Sequence, residues 1–411
     1  MTANQSTRLN QEIESLNFLT QPDTFSILES AADLFVQHVD DTVKIWASSR
    51  DWFMEEWGRD TFISLPGLLL TTGRYDEAKH VFLQFAQHEQ NGLIPNVIRN
   101  NELAYNTADA PLWFVHALKA YVIATGDWSF VGELMPRVRN IIAGYTRGAT
   151  FGRSGRDYRI YMDEDGLIVS PPQATWMDAD PAGDGSTPVT PRDGKCVDIN
   201  ALWYGVLRFA ITAEKALNVN ADTTELETRS EQVKSSFRRE FWNENSGCLY
   251  DVIGDGAVRP NQLIAISHGE DLLDAAQQAK VLGVVQRELL TPGGLRTLSP
   301  QDPMYRGEYD TSAPMSVKDL AYHQGTVWPW LIGPYCEVVN SVRNREGVVA
   351  DAIRHEIGTA IAPLVQFCLD SEFKSLPEVF SGDYPYEPGG TTSQAWSVAE
   401  VLRVLKKFMV K

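Results

Sequence analysis

Apolar residues recur along this chain at three- and four-residue steps, in consecutive segments joined by short turns rich in Gly, Pro, Asn and Asp. A helix turns every 3.6 residues, so this spacing gathers the apolar side chains on one face. Residues 11–39 carry the pattern through Ile13, Leu16, Phe25, Leu28, Ala32 and Phe35, and Pro22-Asp23 splits them into two pieces. Residues 61–72 are apolar almost throughout, which predicts a buried helix kinked at Pro66. A turn at Gly73-Arg74-Tyr75-Asp76 leads into an amphipathic helix over 77–90. Further helices are predicted over 109–125, 128–148, 197–217, 222–242, 346–369 and 392–410. Residues 321–342 read as one more, kinked at Pro329 and Pro334.

Short connections make sequence neighbours antiparallel. No strict repeat occurs, which disfavours a regular solenoid. Some segments are apolar on all sides and others on one, so the expected fold is all-α. Its expected architecture is a closed (α/α)6 toroid, with a buried inner ring and an amphipathic outer one. The 411 residues are read as a single large domain, 1–411. Between the helices lie irregular stretches at 149–195, 243–268, 293–319 and 370–391. The first carries strand-like pieces at 158–162 and 167–169. Long irregular loops in compact domains are usually functional.

The net charge of -18 argues against nucleic acid or an anionic membrane as partner. No apolar run approaches the ~20 residues of a membrane helix. Residues 1–12 are polar, without the apolar core of a secretory signal. Cys196, Cys248, Cys336 and Cys368 are far apart and lack metal-ligand spacing. The expectation is a cytoplasmic protein with buried thiols and neither metal nor cofactor.

Chemistry concentrates in a few stretches. Within 51–60 stand Trp52, Trp57, Arg59 and Asp60, just ahead of an apolar helix. Arg59 offers a planar fork of donors and Asp60 a pure acceptor, a pair suited to neighbouring hydroxyls. Indole faces suit the C–H face of a sugar ring. A helix start alone accounts for Asp60, since the dipole favours acids there, but not for two tryptophans and an arginine. Asp109 heads the helix over 109–125 and is equally well read as its N-cap. Thr175-Trp176-Met177-Asp178-Ala179-Asp180 lies deep in the first long loop. Tyr322-His323-Gln324-Gly325-Thr326-Val327-Trp328 and Leu376-Pro377-Glu378-Val379-Phe380 follow later.

Glycosidic cleavage needs an acid to protonate the leaving oxygen and a carboxylate on the other face of the sugar. The acid must keep its proton near neutral pH, which apolar surroundings favour. Asp178 stands between Met177 and Ala179, and Glu378 between Pro377 and Val379. Most of the 54 acids are surface carboxylates, and composition does not select this pair among them.

Read together, the ordered motifs resemble the amylo-α-1,6-glucosidase domain of glycogen debranching enzymes. They are Trp57-Gly58-Arg59-Asp60-Thr61, Gly92-Leu93-Ile94-Pro95-Asn96, Tyr105-Asn106-Thr107-Ala108-Asp109 and Thr175-Trp176-Met177-Asp178-Ala179, then Asn200-Ala201-Leu202-Trp203-Tyr204, His323-Gln324-Gly325-Thr326-Val327-Trp328 and Gln394-Ala395-Trp396-Ser397. The resemblance spans roughly residues 30 to 410. It implies an (α/α)6 toroid and an inverting, exo-acting α-glucosidase, with Asp178 as general acid and Glu378 as general base. Glu372 and Glu387 share the loop region of Glu378. The resemblance further implies that Trp57, Arg59 and Asp60 hold the terminal glucose of an α-glucan or α-glucoside, and Trp52 and Asp109 are expected among the substrate-binding residues. Trp176, His323, Gln324 and Trp328 would line the pocket.

Relatives usually carry a β-sandwich or a transferase barrel ahead of this domain. Only about 45 residues precede the tryptophan motif here, and the expectation is that the N-terminal β-sandwich is absent. That leaves room for another small α-glucoside or α-mannoside of the compatible-solute type. A catalytically silent carbohydrate-binding protein and a helical scaffold are the readings from other classes.

Overall fold

The computed structural model describes residues 16–40, 42–49, 53–99, 102–182, 187–269 and 271–410. It is mostly helical. The helices are α1 (Pro22–Asp33), α2 (Gly58–Leu65), α3 (Tyr75–Ala86), α4 (Ala110–Thr125), α5 (Trp128–Arg147), α6 (Val197–Leu217) and α7 (Thr224–Glu240). They continue with α8 (Ile264–Ser267), α9 (Ala275–Glu288), α10 (Met315–Tyr322), α11 (Ile332–Arg345), α12 (Ala350–Asp370) and α13 (Ala395–Val404).

Two kinds of helix alternate. Every residue of α2 is buried, and α4, α6 and α13 are buried over most of their length. In α3 only a stripe is buried, through Ala78, Val81, Phe82, Phe85 and Ala86, the one-sided spacing of a helix that faces solvent. The buried set packs in cyclic order: α2 on α4, α4 on α6, α6 on α8, α8 on α11, α11 on α13, and α13 back on α2. The one-sided helices lean on them from outside, α5 and α7 on α6, and α9 and α12 on α11. The contact between α13 and the π-helical turn that extends α2 (Pro66–Leu70) is backbone-close. A Cβ on Gly67 would meet the Ala399 carbonyl oxygen at 2.0 Å. No helix among the described residues is long and apolar enough to cross a membrane.

The helix predicted over 197–217 matches α6 in full, the break at Pro22 is present, and at Pro66 the α-helix passes into a π-helical turn. Other stretches differ. Residues 36–45 form a hairpin (Val36–Val39 with Thr42–Ile45) rather than the end of a helix. Residues 321–342 are not one kinked helix: α10 ends at Tyr322, Val327–Trp328 is extended, and α11 starts at Ile332. Val327–Trp328 belongs to an antiparallel five-stranded sheet with Leu290–Thr291, Gly294–Arg296, Val379–Phe380 and Pro388–Gly389. All-α is therefore too strict. Loops that cross a buried region must pair their backbone N–H and C=O groups, and here short strands from distant loops do so.

Candidate active site

Twenty-two residues enclose a cavity of about 590 Å³, and their side chains come from loops and helix starts along much of the chain. The strand Glu56–Trp57 pairs with Val97–Arg99 and delivers the chain into α2. Gly58 is required at that corner, because a Cβ would meet the Pro95 carbonyl oxygen at 2.3 Å. Arg59 and Asp60 then fall in the first turn of α2, buried and lining the cavity with Trp57.

Arg59 donates from Nε to Asp109 Oδ2 at 2.6 Å and from Nη1 to Asp178 Oδ2 at 3.1 Å. Asp109 occupies the N-cap position of α4 but its side chain makes no capping bond there. It lies behind Arg59, outside the cavity lining. Asp60 Oδ1 accepts from Gln394 Nε2 at 3.1 Å. Burial, with Glu378 and Asp178 nearby, pushes the Asp60 carboxyl up to about 8 against the pull of Arg59.

Asp178 comes from the loop before α6, and an internal network holds that loop in place. Arg192 bridges Asp198 and Asp251 at 2.7 Å each and reaches the Thr175 hydroxyl at 3.0 Å. Asn261 joins Asp251 at 2.7 Å and accepts the Trp176 indole N–H at 2.7 Å. The Asp178 side chain remains 32 % exposed to the cavity. Burial raises its carboxyl above the ordinary range, with Arg59 opposing.

Glu378 stands one residue before the strand Val379–Phe380. Its Oε2 accepts the Thr391 N–H at 3.2 Å, and the Tyr322 hydroxyl donates to the same carboxylate. Burial pushes it up to about 7, those two hydrogen bonds pull down, and Asp178 and Asp319 push up again. Gly390 is tight against it: φ is +68°, and a Cβ there would meet Glu378 Oε2 at 2.2 Å.

The aromatic wall is continuous. His323 stacks on Trp328 with ring centroids 5.3 Å apart, and Trp176 meets both edge-on at 5.4 Å and 5.2 Å. Burial holds His323 well below its ordinary range, so the ring is neutral, and Nδ1 accepts the Ala179 N–H at 3.4 Å. Arg59 Nη2, Trp57 Nε1, His323 Nε2 and Trp396 Nε1 are buried without a hydrogen-bond partner among the described residues. A hydroxyl-rich ligand is the natural partner for such a set.

Of the candidates named from the sequence, Trp57, Arg59, Asp60, Trp176, Asp178, His323, Trp328 and Glu378 share this one cavity. Trp52 lies outside the described residues. Gln324 is elsewhere: its Oε1 accepts from Arg259 at 2.8 Å and its Nε2 donates to the Val189 carbonyl at 3.1 Å, so its amide is taken up by the protein. Residues not singled out from the sequence also line the cavity, among them Tyr309, Asp319, Tyr322, Gln394 and Trp396. Tyr322, Gln394 and Trp396 fall inside motifs already noted, whereas nothing local marks Tyr309 or Asp319. Among the described residues no group of His, Cys, Asp or Glu is arranged to hold a metal ion.

Comparison with known proteins supplies the context. The family described as amylo-alpha-1,6-glucosidase matches residues 29–403. Glycogen debranching enzyme of Saccharomyces cerevisiae is 29 % identical over an alignment covering 68 % of this chain and 24 % of the yeast enzyme. Periplasmic trehalase of Escherichia coli is 22 % identical over 60 % of this chain and 51 % of the trehalase. This chain thus spans about a quarter and about half of those two proteins. Among solved structures, the GH63 mannosylglycerate hydrolase of Thermus thermophilus with glucose bound superposes with a TM-score of 0.66. It is 13 % identical, over 92 % of this chain and 99 % of that one. A rhamnosidase of Klebsiella oxytoca with rhamnose bound gives a TM-score of 0.60 at 15 % identity, over 93 % of this chain and 64 % of that one.

Proposed function

The chain belongs to the amylo-α-1,6-glucosidase family, and from that premise we propose an inverting, exo-acting α-glucosidase that hydrolyses terminal α-1,6 bonds. It is a glycoside hydrolase; the linkage and the mechanism are our reading. The observation that carries the reading is the pair Asp178 and Glu378, two carboxyls raised by burial, brought from different loops into one cavity beside Arg59 and Asp60. The cyclic helix packing supports the (α/α)6 toroid as its scaffold.

Asp178 is the general acid and Glu378 the general base. Two donors, the Tyr322 hydroxyl and the Thr391 N–H, favour the ionised form of Glu378 that a base needs. It takes a proton from a water molecule, and that water attacks the anomeric carbon from the face opposite the leaving group. Asp178 gives its proton to the glycosidic oxygen as the C–O bond breaks, and β-glucose leaves. In the ligand-free site Arg59 Nη1 weighs against a protonated Asp178. A glucose hydroxyl that engages this guanidinium weakens the opposition and leaves burial to hold the proton.

A second reading keeps the same acids and takes a small glycoside such as trehalose or mannosylglycerate. The likeness to the trehalase and to the mannosylglycerate hydrolase favours it, as does a cavity of about 590 Å³, within the usual range for small ligands. Incubation with isomaltose, panose, maltotriose, trehalose and a phosphorylase limit dextrin separates the two. β-Glucose from the α-1,6 substrates supports debranching. Silence on these with turnover of trehalose overturns it in favour of the second reading.

A further inference from the structure

The catalytic pair and the grip on glucose leave one buried carboxyl of the cavity without a role. Asp319 lies on α10 and is 9 % exposed, near Met315, which is 54 % exposed and lines the same cavity. The Asp319 carboxylate accepts the backbone N–H of Asp180, and its strongest charged neighbours are Asp178 and Asp180. Asp60 sits instead in the first turn of α2, next to Arg59, where its Oδ1 accepts from Gln394 Nε2. Asp60 therefore belongs to the end that holds the glucose being released, and Asp319 to the end bordered by residues 178–180. An acid that protonates the leaving oxygen stands between glucose and leaving group. The leaving group accordingly extends past Asp178 toward Asp319 and the exposed Met315.

We propose that Asp319 is a specificity-determining residue for the leaving group, accepting hydrogen bonds from a neutral polyhydroxy partner such as a second sugar or glycerol, and repelling a partner that carries a carboxylate. The inference rests on the glycosidase reading above. A carboxylate accepts hydrogen bonds and donates none, so it matches hydroxyls and opposes another carboxylate. Repulsion of the wrong partner is a recognised source of specificity. Five carboxyl groups line the cavity beside two guanidiniums; burial favours the proton on Asp60, Asp178 and Glu378, whereas burial pushes Asp319 up only to about 6, which leaves it ionised at neutral pH. Both guanidiniums already have partners within the protein, and only Arg59 Nη2 and Arg153 Nε are left without one among the described residues. Arg59 is paired with Asp109 and Asp178, and Arg153 donates from both Nη atoms to the carbonyls of Gln173 and Pro172, at 3.0 Å and 2.7 Å.

The test uses the purified protein with two compounds that differ at one carbon, α-glucosylglycerol and α-glucosylglycerate, each as a competitor of isomaltose hydrolysis. The neutral compound should compete at least about tenfold more strongly, and the gap should narrow as salt screens the charges. Equal competition, or failure of both to compete, overturns the proposal. Asp319→Asn should narrow the gap further. It should also lower kcat/KM for isomaltose at least about tenfold more than for 4-nitrophenyl α-glucoside, whose leaving group has no sugar hydroxyls. Equal losses on the two substrates would place Asp319 in the chemistry instead and overturn the proposal. The salt dependence of the wild-type ratio stands even if the variant does not fold. Absence of hydrolysis of every glycoside by the wild type would sink the glycosidase reading itself, and the proposal with it.

Discussion

Arg59 Nε and Asp109 Oδ2 lie 2.6 Å apart, both side chains at most 3 % exposed. The pair joins the starts of two buried helices, α2 and α4, and leaves the other arm of the guanidinium for Asp178. Removing one partner of a buried pair strands the other charge. Asp109→Asn should therefore cost about 3–5 kcal/mol of unfolding free energy and lower kcat/KM as well. Urea unfolding together with isomaltose kinetics checks both. A variant as stable as wild type would mean that Asp109 does not anchor Arg59.

Asp178→Asn and Glu378→Gln keep shape and remove the proton chemistry. Each should lower kcat by roughly 10²–10⁴-fold while near-ultraviolet circular dichroism keeps its native form. Wild-type turnover by either variant would remove that residue from catalysis.

The buried Glu378 carboxyl also gives stability a pH signature. It holds its proton up to about 7, against an ordinary 4.5. Between those values the unfolded chain has released a proton that the folded protein still binds, so this group's contribution falls as pH rises through the window. Asp60, raised from 3.8 to about 8, acts in the same direction. Glu378→Gln removes one share. Its stability relative to wild type should improve by about 2–3 kcal/mol between about pH 5 and about pH 8. A pH-independent difference would contradict the burial argument. The proposed role of Glu378 as base needs the ionised form, so kcat/KM should fall below about pH 7.

Gly390 tests the placement of Glu378, the proposed base, without altering its carboxyl. A methyl there collides with Glu378 Oε2 and also forces a side chain into a left-handed backbone, which costs roughly 1–2 kcal/mol. Gly390→Ala should cut kcat at least about tenfold with a smaller change in KM. Unaltered kcat would show that the Glu378 carboxylate tolerates displacement.

Helix α6 was legible from its pattern because a long, strongly periodic segment reports its own burial. The candidates that meet in the cavity were legible because aromatic, acidic and basic groups cluster in short motifs. Asp319 and Tyr309 were not, since nothing near either in the sequence marks it and only folding brings it to the cavity. Asp109 misled for a local reason: the N-cap position explains an aspartate well, and only the distant Arg59 shows where its carboxylate goes. Gln324 stands in an aromatic motif that does face the cavity, yet Arg259 claims its amide. The strand at Val327–Trp328 could not be read either, because two residues carry no period and its partners lie in loops far along the chain.

The backbone contact between Gly67 and Ala399 has a consequence for how this molecule comes into being. An early inner helix and the late helix α13 meet there with no room for a side chain, and α13 brings Trp396 into the cavity wall, next to Gln394 at its start. Asp60 gains its Gln394 partner only when that helix docks. The contact that seats α13 on α2 is therefore also the one that completes the cavity lining. Without α13 the cavity lacks both Trp396 on its wall and the amide that donates to Asp60.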